Sequence, residues 1–257
     1  MSERTERFEV TGTARLSVRL PAGEVRVVGG APGEVVVRAR GDESDLSRMV
    51  IEARGDTITL EPDKVGWHRW ASLDVEIAVG APPEIRARLA SGGLLVRTPA
   101  AALDAASASG SVEAGEVAGR LSVRLASGDL SAAAAGALDV VSASGDVRVP
   151  QVHGEATVKT ASGDVTLAAV AGDLTVRTAS GDVMVSRAEG CRLDVKTVSG
   201  DVHLGIPAGR RYTVSLQSLS GGVRTDFPVS GGGGGAPARL QVATVSGDIR
   251  ITGARGS

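Results

Sequence analysis

The sequence predicts an all-β protein: a single-domain β-solenoid, similar to a parallel β-helix, with coils of about 18 residues and two short strands per coil. Two observations lead to this prediction. First, apolar residues alternate with polar ones on both sides of a recurring Ser-Gly pair. Second, the pair returns in steps of 18, 18, 17, 18, 18, 19, 21 and 26 residues. Such a period is typical of stacked repeats that bury a face on their neighbours. The repeat serines are Ser91, Ser109, Ser127, Ser144, Ser162, Ser180, Ser199, Ser220 and Ser246.

Four apolar columns define the two strands of each coil. They lie six and four residues before the repeat serine, and three and five residues after it. In one coil these positions hold Ala156, Val158, Val165 and Leu167, and Thr225 is the only polar residue in the four columns. Because alternate residues of a strand point to one face, we expect inward-facing Val and Leu side chains on both strands.

A second turn, marked by glycine, lies about halfway between successive repeat serines. A coil is therefore strand, Ser-Gly-Asp turn, strand, glycine turn, and stacked coils would pair equivalent strands in a parallel ladder. The two longest steps leave the columns intact, so their extra residues fall in the second turn, at 205–213 and in the Gly-rich loop 226–239.

We expect one domain over residues 1–257, with irregular N-terminal coils at 7–84 and regular coils at 85–252. The segment Ala22-Gly23-Glu24-Val25 resembles a degenerate copy of the later turn. The Ala-rich stretch 131–137 is predicted to be a coil edge rather than a helix, because glycines flank it at the repeat spacing. Strand signals in the N-terminal part lie at 16–20, 35–39, 49–53, 57–60 and 73–79.

Composition restricts the possible partners. The net charge of -2 offers no general attraction to nucleic acid. The start of the chain, MSERTERFEV, has no apolar segment typical of a secretory signal, and no run of about 18 apolar residues could span a bilayer. The single Cys191 fits a reducing compartment. These features predict a cytoplasmic protein without integral membrane association, although peripheral contact with the envelope is compatible with them.

The Ser-Gly-Asp turn has a structural explanation, because glycine reaches positive φ freely and Ser and Asp bond to turn backbone groups. A column of aspartates could instead hold calcium. The Gly-Gly-x-Gly-x-Asp pattern of calcium-binding repeats is absent, so we favour turn stabilisation. The column comprises Asp129, Asp146, Asp164, Asp182, Asp201 and Asp248. An inward hydroxyl column before the turn comprises Ser107, Ser142, Thr160, Thr178, Thr197, Ser218 and Thr244.

A stripe of basic residues lies outward on the strand before the turn, and no aromatic residues alternate with it to stack on bases. We therefore interpret it as a solvated sheet face and predict no nucleic-acid partner. The stripe comprises Arg88, Arg124, Lys159, Arg177 and Lys196, interrupted by Ala106 and Val141.

The loop between the strands at 57–60 and 73–79 carries the most distinctive cluster, Trp67, His68, Arg69 and Trp70. Tryptophans in a loop could bind a sugar or a protein partner. They could equally cover an exposed strip of core, and we favour this second interpretation.

Catalytic and metal-binding patterns are absent from the sequence. His153 and His203 lie in different coils without nearby Cys or acidic residues at ligand spacing. The Ser-Gly pairs are repeat turns rather than nucleophile elbows. We therefore predict no enzyme activity, no metal and no cofactor, and no small-molecule substrate can be assigned.

Three segments carry a resemblance to a known family: FEVTGTARLSVRLPAGEVRV, VEIAVGAPPEIRARLASGG, and the repeated units TASGDVTL and AGDLTV. The chain resembles the bacterial putative adhesin family, a β-strand-repeat domain of unknown function, from Phe8 to Ile251. The resemblance implies a β-solenoid and brings no catalytic residues.

The predicted function is that of a non-enzymatic, adhesin-like scaffold whose partner is a protein or a second copy of the chain. Solenoid ends expose strand edges that invite pairing, and the final coil, ending ITGARGS, shows no polar cap. We therefore predict end-to-end self-association. The alternative is a glycan-binding or glycan-cleaving solenoid that uses the loop from Trp67 to Trp70.

Overall fold

The computed structural model describes residues 2–63, 70–207, 211–226 and 238–254. It confirms the all-β prediction, since strands dominate the described residues and a single short helix accompanies them. The elements in chain order are β1 (Ser2–Glu9), β2 (Arg15–Ala22), β3 (Val25–Gly29), β4 (Glu34–Gly41), α1 (Glu43–Arg48), β5 (Met49–Arg54), β6 (Thr57–Pro62), β7 (Asp74–Val79), β8 (Glu84–Ser91), β9 (Leu94–Val96), β10 (Ala102–Ser109), β11 (Val112–Ser127), β12 (Leu130–Ser144), β13 (Val147–Val152), β14 (Ala156–Ser162), β15 (Val165–Val170), β16 (Leu174–Ser180), β17 (Val183–Ala188), β18 (Arg192–Lys196), β19 (Val202–Pro207), β20 (Tyr212–Ser220), β21 (Val223–Thr225), β22 (Ala238–Ser246) and β23 (Ile249–Ala254).

The chain forms two compact units, Met1–Ala132 and Ala133–Ser257. In the first unit, one ladder of strands runs β5, β6, β2, β8, β10 and the end of β11. The other runs β1, β4, β7, β3, β9 and the start of β11. Each coil contributes one strand to each ladder.

The degenerate turn at 22–25 takes its predicted place in the first unit. Ala22 pairs with Ser91 and Val25 pairs with Leu94, so this coil is in register with the regular repeat. Gly23 has a φ of 117°, as the turn requires. The pattern of a single coil therefore sufficed to predict the register across a gap of about 70 residues.

The N-terminal part contains features that the repeat pattern does not predict. Strand β4 pairs antiparallel with both β1 and β7, and β5 pairs antiparallel with β6. The short helix α1 joins β4 to β5. Its Leu46 is buried, as is Met49 just after it, so this connection contributes to the core. The predicted strand segments are present, but two of them form antiparallel pairs rather than parallel coils.

In the second unit, the described pairings are all parallel. One ladder runs β12, β14, β16, β18, β22, β20, and the other runs β13, β15, β17, β19, β23, β21. Leu138 pairs with Ala156, Ala156 with Leu174, and Leu174 with Leu193, one repeat apart each time. This register confirms the predicted solenoid coils. The Ala-rich stretch 131–137 lies within a strand and not in a helix, also as predicted.

The strand order corrects one expectation. Chain order placed the last coil, which ends near ITGARGS, at the end of the stack. In the structure β22 lies between β18 and β20, and β23 lies between β19 and β21. The coil of β20 and β21, residues 212–225, therefore lies at the edge, and we call it the end coil. The two longest repeat steps flank it, so the chain has the length to pass outward by two strand spacings, about 10 Å, and return.

The core of each unit is formed by the predicted apolar columns, whose Val and Leu side chains are almost fully buried outside the end coil. The hydroxyl column is also inward-facing, as predicted. Thr160 donates a hydrogen bond to the Ser162 carbonyl oxygen at 3.0 Å, and Thr178 donates to the Ser180 carbonyl at 3.1 Å. Ser142 and Thr197 donate to carbonyls of their own turns in the same way. These four bonds avoid the cost of an unpaired buried polar group, whereas the buried Ser107 hydroxyl has no hydrogen-bond partner among the described residues.

Candidate functional site

The cluster from Trp67 to Trp70 is only partly visible. Trp67, His68 and Arg69 lie outside the described residues. Trp70 is half-buried and precedes β7. The glycan-binding alternative, which depends on this cluster, therefore stays a prediction.

Helix α1 forms hydrogen bonds with residues on both sides of the loop that carries the tryptophans. The Asp45 carboxylate is buried, at 1% exposure, and accepts a hydrogen bond from the Ala71 N–H at 2.9 Å. On the other side, the Asp63 N–H donates to the Arg48 carbonyl at 2.7 Å. The loop thus starts and ends at fixed points beside α1, an arrangement that supports a structural role for Asp45.

The aspartate column forms a hydrogen-bonded ladder in the second unit. The Oδ1 atom of Asp146 accepts from the Asp164 N–H at 2.9 Å, and Oδ1 of Asp164 accepts from the Asp182 N–H at 2.8 Å. The same contact continues to Asp201 and Asp248. Each carboxylate therefore stabilises the turn of the next coil rather than its own. Among the described residues, no cluster of three or more His, Cys, Asp or Glu side chains could hold a metal ion.

The basic stripe is partly neutralised by acidic neighbours. In the first unit, Arg88 donates to Asp104 at 2.7 Å, and Arg86 and Arg124 lie 3.4 and 3.9 Å from the same carboxylate. Partial burial acts to raise the pKa of Asp104, but the hydrogen bond from Arg88 and the three positive charges outweigh it and lower that pKa. In the second unit, Lys196 and Arg177 both contact Asp194. Four of the five basic residues of the stripe therefore lie within 4 Å of a carboxylate.

An outward groove of about 470 Å³ crosses five strands of the first unit. Its polar walls include Arg15 with Glu84, which form an ion pair at 3.2 Å, and Arg86 with Asp104. These charged groups satisfy one another across the groove. Its chemistry is therefore that of a paired surface rather than of a charged binding site.

The two histidines considered in the sequence analysis lie apart from each other. His153 is exposed and His203 is half-buried, and they belong to different strands and coils. Cys191 is exposed. No helix in the described part of the chain has the length and apolar character needed to cross a membrane.

The end coil departs most from the rest of the second unit. On β22, the inward Leu240 and Val242 are fully buried. Their partners on β20, Val214 and Leu216, are only half-buried, and Val223 on β21 is 45% exposed. Within the described residues, these core columns therefore continue to the edge of the stack without a further strand layer beyond them.

The outer edge of β20 presents backbone groups along its length. The Arg211 carbonyl accepts from the Ala238 N–H, so residues 211, 213, 215 and 217 direct their backbone groups toward β22. Because bonding direction alternates along a strand, Val214 and Leu216 direct their N–H and C=O groups the other way. Within the described residues β20 pairs with β22 alone. Its outer edge is a template for one more strand.

A strip of exposed apolar side chains lies at the bend of the last three coils. We call it the corner strip and define it as Val198 (53% exposed), Val245 (47%) and Leu219 (84%). The residue before the repeat serine is the exposed alanine Ala143, Ala161 or Ala179 in the preceding coils. The strip borders a hollow of about 400 Å³ that Leu219 and Val245 help to line.

Charge distinguishes β20 from the edge of the first unit. The nine residues of β20, YTVSLQSLS, include no charged side chain. Strand β1, SERTERFE, carries five charged residues among its eight. Charged side chains protect edge strands from pairing with other chains. By this criterion β1 is protected from pairing with another chain, whereas β20 is not.

Sequence reasoning placed the final coil at the end of the stack, whereas the structure places the coil of β20 and β21 there. The apolar columns are the same in every coil, so they carry no information on spatial order. One signal was available in the sequence: Tyr212–Ser220 is uncharged, whereas β14, β16 and β18 each carry at least one charged residue.

The stacked parallel coils place the protein in the class of β-solenoids. Residues 14–252 match the family described as Toastrack DUF4097, which is nearly the whole chain. The protein belongs to the Toastrack DUF4097 family. The predicted membership of an adhesin-like family of unknown function is therefore confirmed.

Solved structures are similar to this chain at low sequence identity. A putative adhesin from Bacteroides fragilis NCTC 9343 is 13% identical, with 97% of each chain covered and a TM-score of 0.56. A putative adhesin from Parabacteroides distasonis ATCC 8503 is 9% identical, with 97% of each chain covered and a TM-score of 0.46. A protein from the same strain described as a putative lipid binding protein is 13% identical, with coverage of 97% and 96% and a TM-score of 0.46. No curated protein matches the chain.

Proposed function

We propose that this protein is a non-enzymatic, adhesin-like scaffold that works through protein–protein contact at its end coil. The observation that carries the proposal is the combination, on one coil, of half-buried core positions and an open backbone edge. Val214 and Leu216 supply the apolar surface, and their own N–H and C=O groups supply the hydrogen bonds.

Strand addition is the mode of binding that such an edge supports. An extended segment that pairs with β20 gains main-chain hydrogen bonds, while side chains on alternate residues provide specificity. The new strand would also cover Val214 and Leu216, whose counterparts on β22 are fully buried. Burial of apolar area adds roughly 25 cal/mol for each Å² removed from water. Hydrogen bonding and apolar burial therefore favour the same occupant, a β-strand.

The corner strip extends this contact around the bend. Leu219 is the most exposed large apolar residue in the described chain and belongs to β20 itself. Val245 lies on the neighbouring β22. A partner strand laid along β20 would pass beside Leu219, so the edge and the strip form one continuous surface.

Site-specific photo-crosslinking in cells of the native host tests the proposal. A benzoylphenylalanine replaces Ser215, which lies outward on β20, and the control replaces Thr157 at the same repeat position on β14. We expect a protein adduct from position 215 and none from position 157, because β14 is paired on both sides. Absence of an adduct at 215, or equal adducts at both positions, would overturn the proposal.

The non-enzymatic part of the proposal has its own test. The purified chain is incubated with a panel of polysaccharides, and released sugar ends are measured. We expect no cleavage. Cleavage that a Trp67→Ala/Trp70→Ala variant abolishes, while its thermal midpoint is unchanged, would replace the scaffold proposal with the glycan alternative.

A further inference from the structure

We infer that the strand which pairs with β20 is β20 of a second copy of this chain, antiparallel to it across a two-fold axis. The inference rests on the proposed function, because it names the occupant of the same edge. It specifies a closed dimer rather than a chain of copies.

The first argument is self-complementarity. In an antiparallel pairing centred on Leu216, this residue lies opposite Leu216 of the second copy, and Val214 lies opposite Ser218 of that copy. Inward-facing residues of one strand therefore pair with inward-facing residues of the other. Outward positions meet likewise, and Leu219 faces Thr213. None of the nine residues is charged, so this pairing brings no like charges together. The alignment uses the full length of the strand, and two-fold symmetry makes each contact twice.

The second argument is the nature of the other edges. A chain of copies would need β20 to pair with an edge strand of the first unit. Strand β1 has its charges engaged with β4, through Arg40 with Glu3 at 2.9 Å and Arg7 with Glu34 at 3.5 Å. Strand β5 carries Glu52 and Arg54, which pair with each other. Uncharged Thr, Ser and Gln side chains offer these residues no counter-charge, so the end coil has a better partner in itself.

The third argument is the corner strip. In the antiparallel alignment, the side chain of Leu219 lies across from Thr213 of the second copy, on the outward face. Leu219 is 84% exposed in one chain, and the pairing would cover it twice in the dimer. The equivalent residue is alanine in the earlier coils and valine in the two coils next to the end coil, so the largest side chain occurs where the alignment places a contact.

Charge-swap variants test the inference. Ser215→Lys/Gln217→Lys places four lysines on the two paired strands, and Ser215→Asp/Gln217→Asp places four aspartates there. Like charges across strands oppose pairing, so we expect the dissociation constant of each variant to rise by about tenfold or more. A mixture of the two variants is expected to form a heterodimer at the affinity of the original chain or better.

The control is Thr157→Lys. Beside the native Lys159, it creates the same pair of lysines on the interior strand β14 and should leave association unchanged. All proteins are measured by size-exclusion chromatography with light scattering in a reducing buffer, which prevents disulfides through the exposed Cys191. Circular dichroism melts establish that each variant is folded.

The expected masses are twice 25.9 kDa for the original chain and the mixture, and 25.9 kDa for each variant alone. A monomeric original chain, masses that grow beyond two copies, or variants that remain dimeric would each overturn the inference. The crosslinking experiment separates the two proposals. An adduct with a different protein would retain docking at the end coil and refute self-pairing, whereas no adduct would refute both.

Discussion

At the scale of single residues, the turn glycine is fixed by two separate constraints. Gly181 has a φ of 131°, which side chains with a Cβ rarely adopt. A Cβ at this position would also lie 2.3 Å from the Gly163 carbonyl oxygen of the preceding coil. Stacking at the strand spacing, and not only the turn itself, therefore requires glycine.

The first prediction concerns this glycine. Gly181→Ala is expected to lower the free energy of unfolding by about 2–4 kcal/mol, because it adds backbone strain to a steric clash. Denaturant unfolding measures the change. Gly29→Ala is the matched control, since a Cβ there meets nothing within 4 Å. Equal stability of the two variants would contradict the close stacking of the turns.

The second prediction concerns the aspartate ladder. Asp164→Ala removes the acceptor of the Asp182 N–H and is expected to cost about 1 kcal/mol. Asp164→Asn keeps an oxygen in place and should lose less. Because backbone N–H groups occupy Oδ1, we also expect equal thermal midpoints with calcium and with a chelator. A midpoint that rises with calcium would instead support the cation ladder.

The third prediction concerns pH. The pKa of Asp104 is lowered in the folded chain, so its contribution to stability is present above the ordinary pKa of an aspartate. That contribution is lost as the pH falls through the lowered value. Asp104→Asn should therefore destabilise the chain at neutral pH and have a smaller effect in strong acid. A destabilisation that does not change between these conditions, measured by denaturant unfolding, would argue against the ion-pair cluster.

At the scale of elements, the coils were predictable and their connections were not. The register of β8, β10, β14 and β16 follows from the apolar columns because parity and spacing fix which side chains face inward. The antiparallel pairing of β4 with β1 and β7 could not be inferred from the sequence pattern. Alternation marks a strand without giving its direction, so either direction buries the same residues.

Helix α1 was missed for a different reason. Its six residues are too few for a helical period to emerge from the sequence. The helix is held by tertiary contacts, among them the buried carboxylate of Asp45 and a hydrogen bond at 2.7 Å from Arg4 to the Met49 carbonyl just after it. Such contacts involve residues about 25 and 45 positions away and cannot be inferred from local pattern.

The fourth prediction belongs to this element. Asp45→Ala removes a buried acceptor and leaves the Ala71 N–H without this bond, which should cost about 1–3 kcal/mol of unfolding free energy. Asp45→Asn keeps an acceptor oxygen and should retain part of the stability. If both variants unfold at the same denaturant concentration as the original chain, α1 does not anchor the loop in the way its contacts indicate.

At the scale of the whole molecule, the order of coils decides which surface can bind. Every coil repeats the same columns, so exchanging the places of two neighbouring coils would leave each column intact. The sequence therefore predicted that the solenoid has an exposed end, while the position of β22 between β18 and β20 determines which coil forms it. Long connecting segments on both sides of the end coil make this exchange sterically possible.

The open edge also explains why an exposed apolar surface persists in this chain. In a stack of repeats, each coil is stabilised by its neighbours on both sides, and a terminal coil has one neighbour only. In the end coil, Val214 and Leu216 are therefore only half-buried. Strand β20 also has no charged residue that would oppose pairing with another strand. Self-pairing would give β20 a second neighbouring strand, as the equivalent strands of interior coils have.

The most direct test of this account is amide hydrogen exchange at Val214 and Leu216, resolved by NMR. Their N–H groups point away from β22, and in the described part of the chain no strand lies on that side to accept from them. We predict slow exchange in the original chain under conditions where it is dimeric, and fast exchange in Ser215→Lys/Gln217→Lys. Fast exchange of both amides in the original chain at high concentration would contradict strand pairing at the end coil.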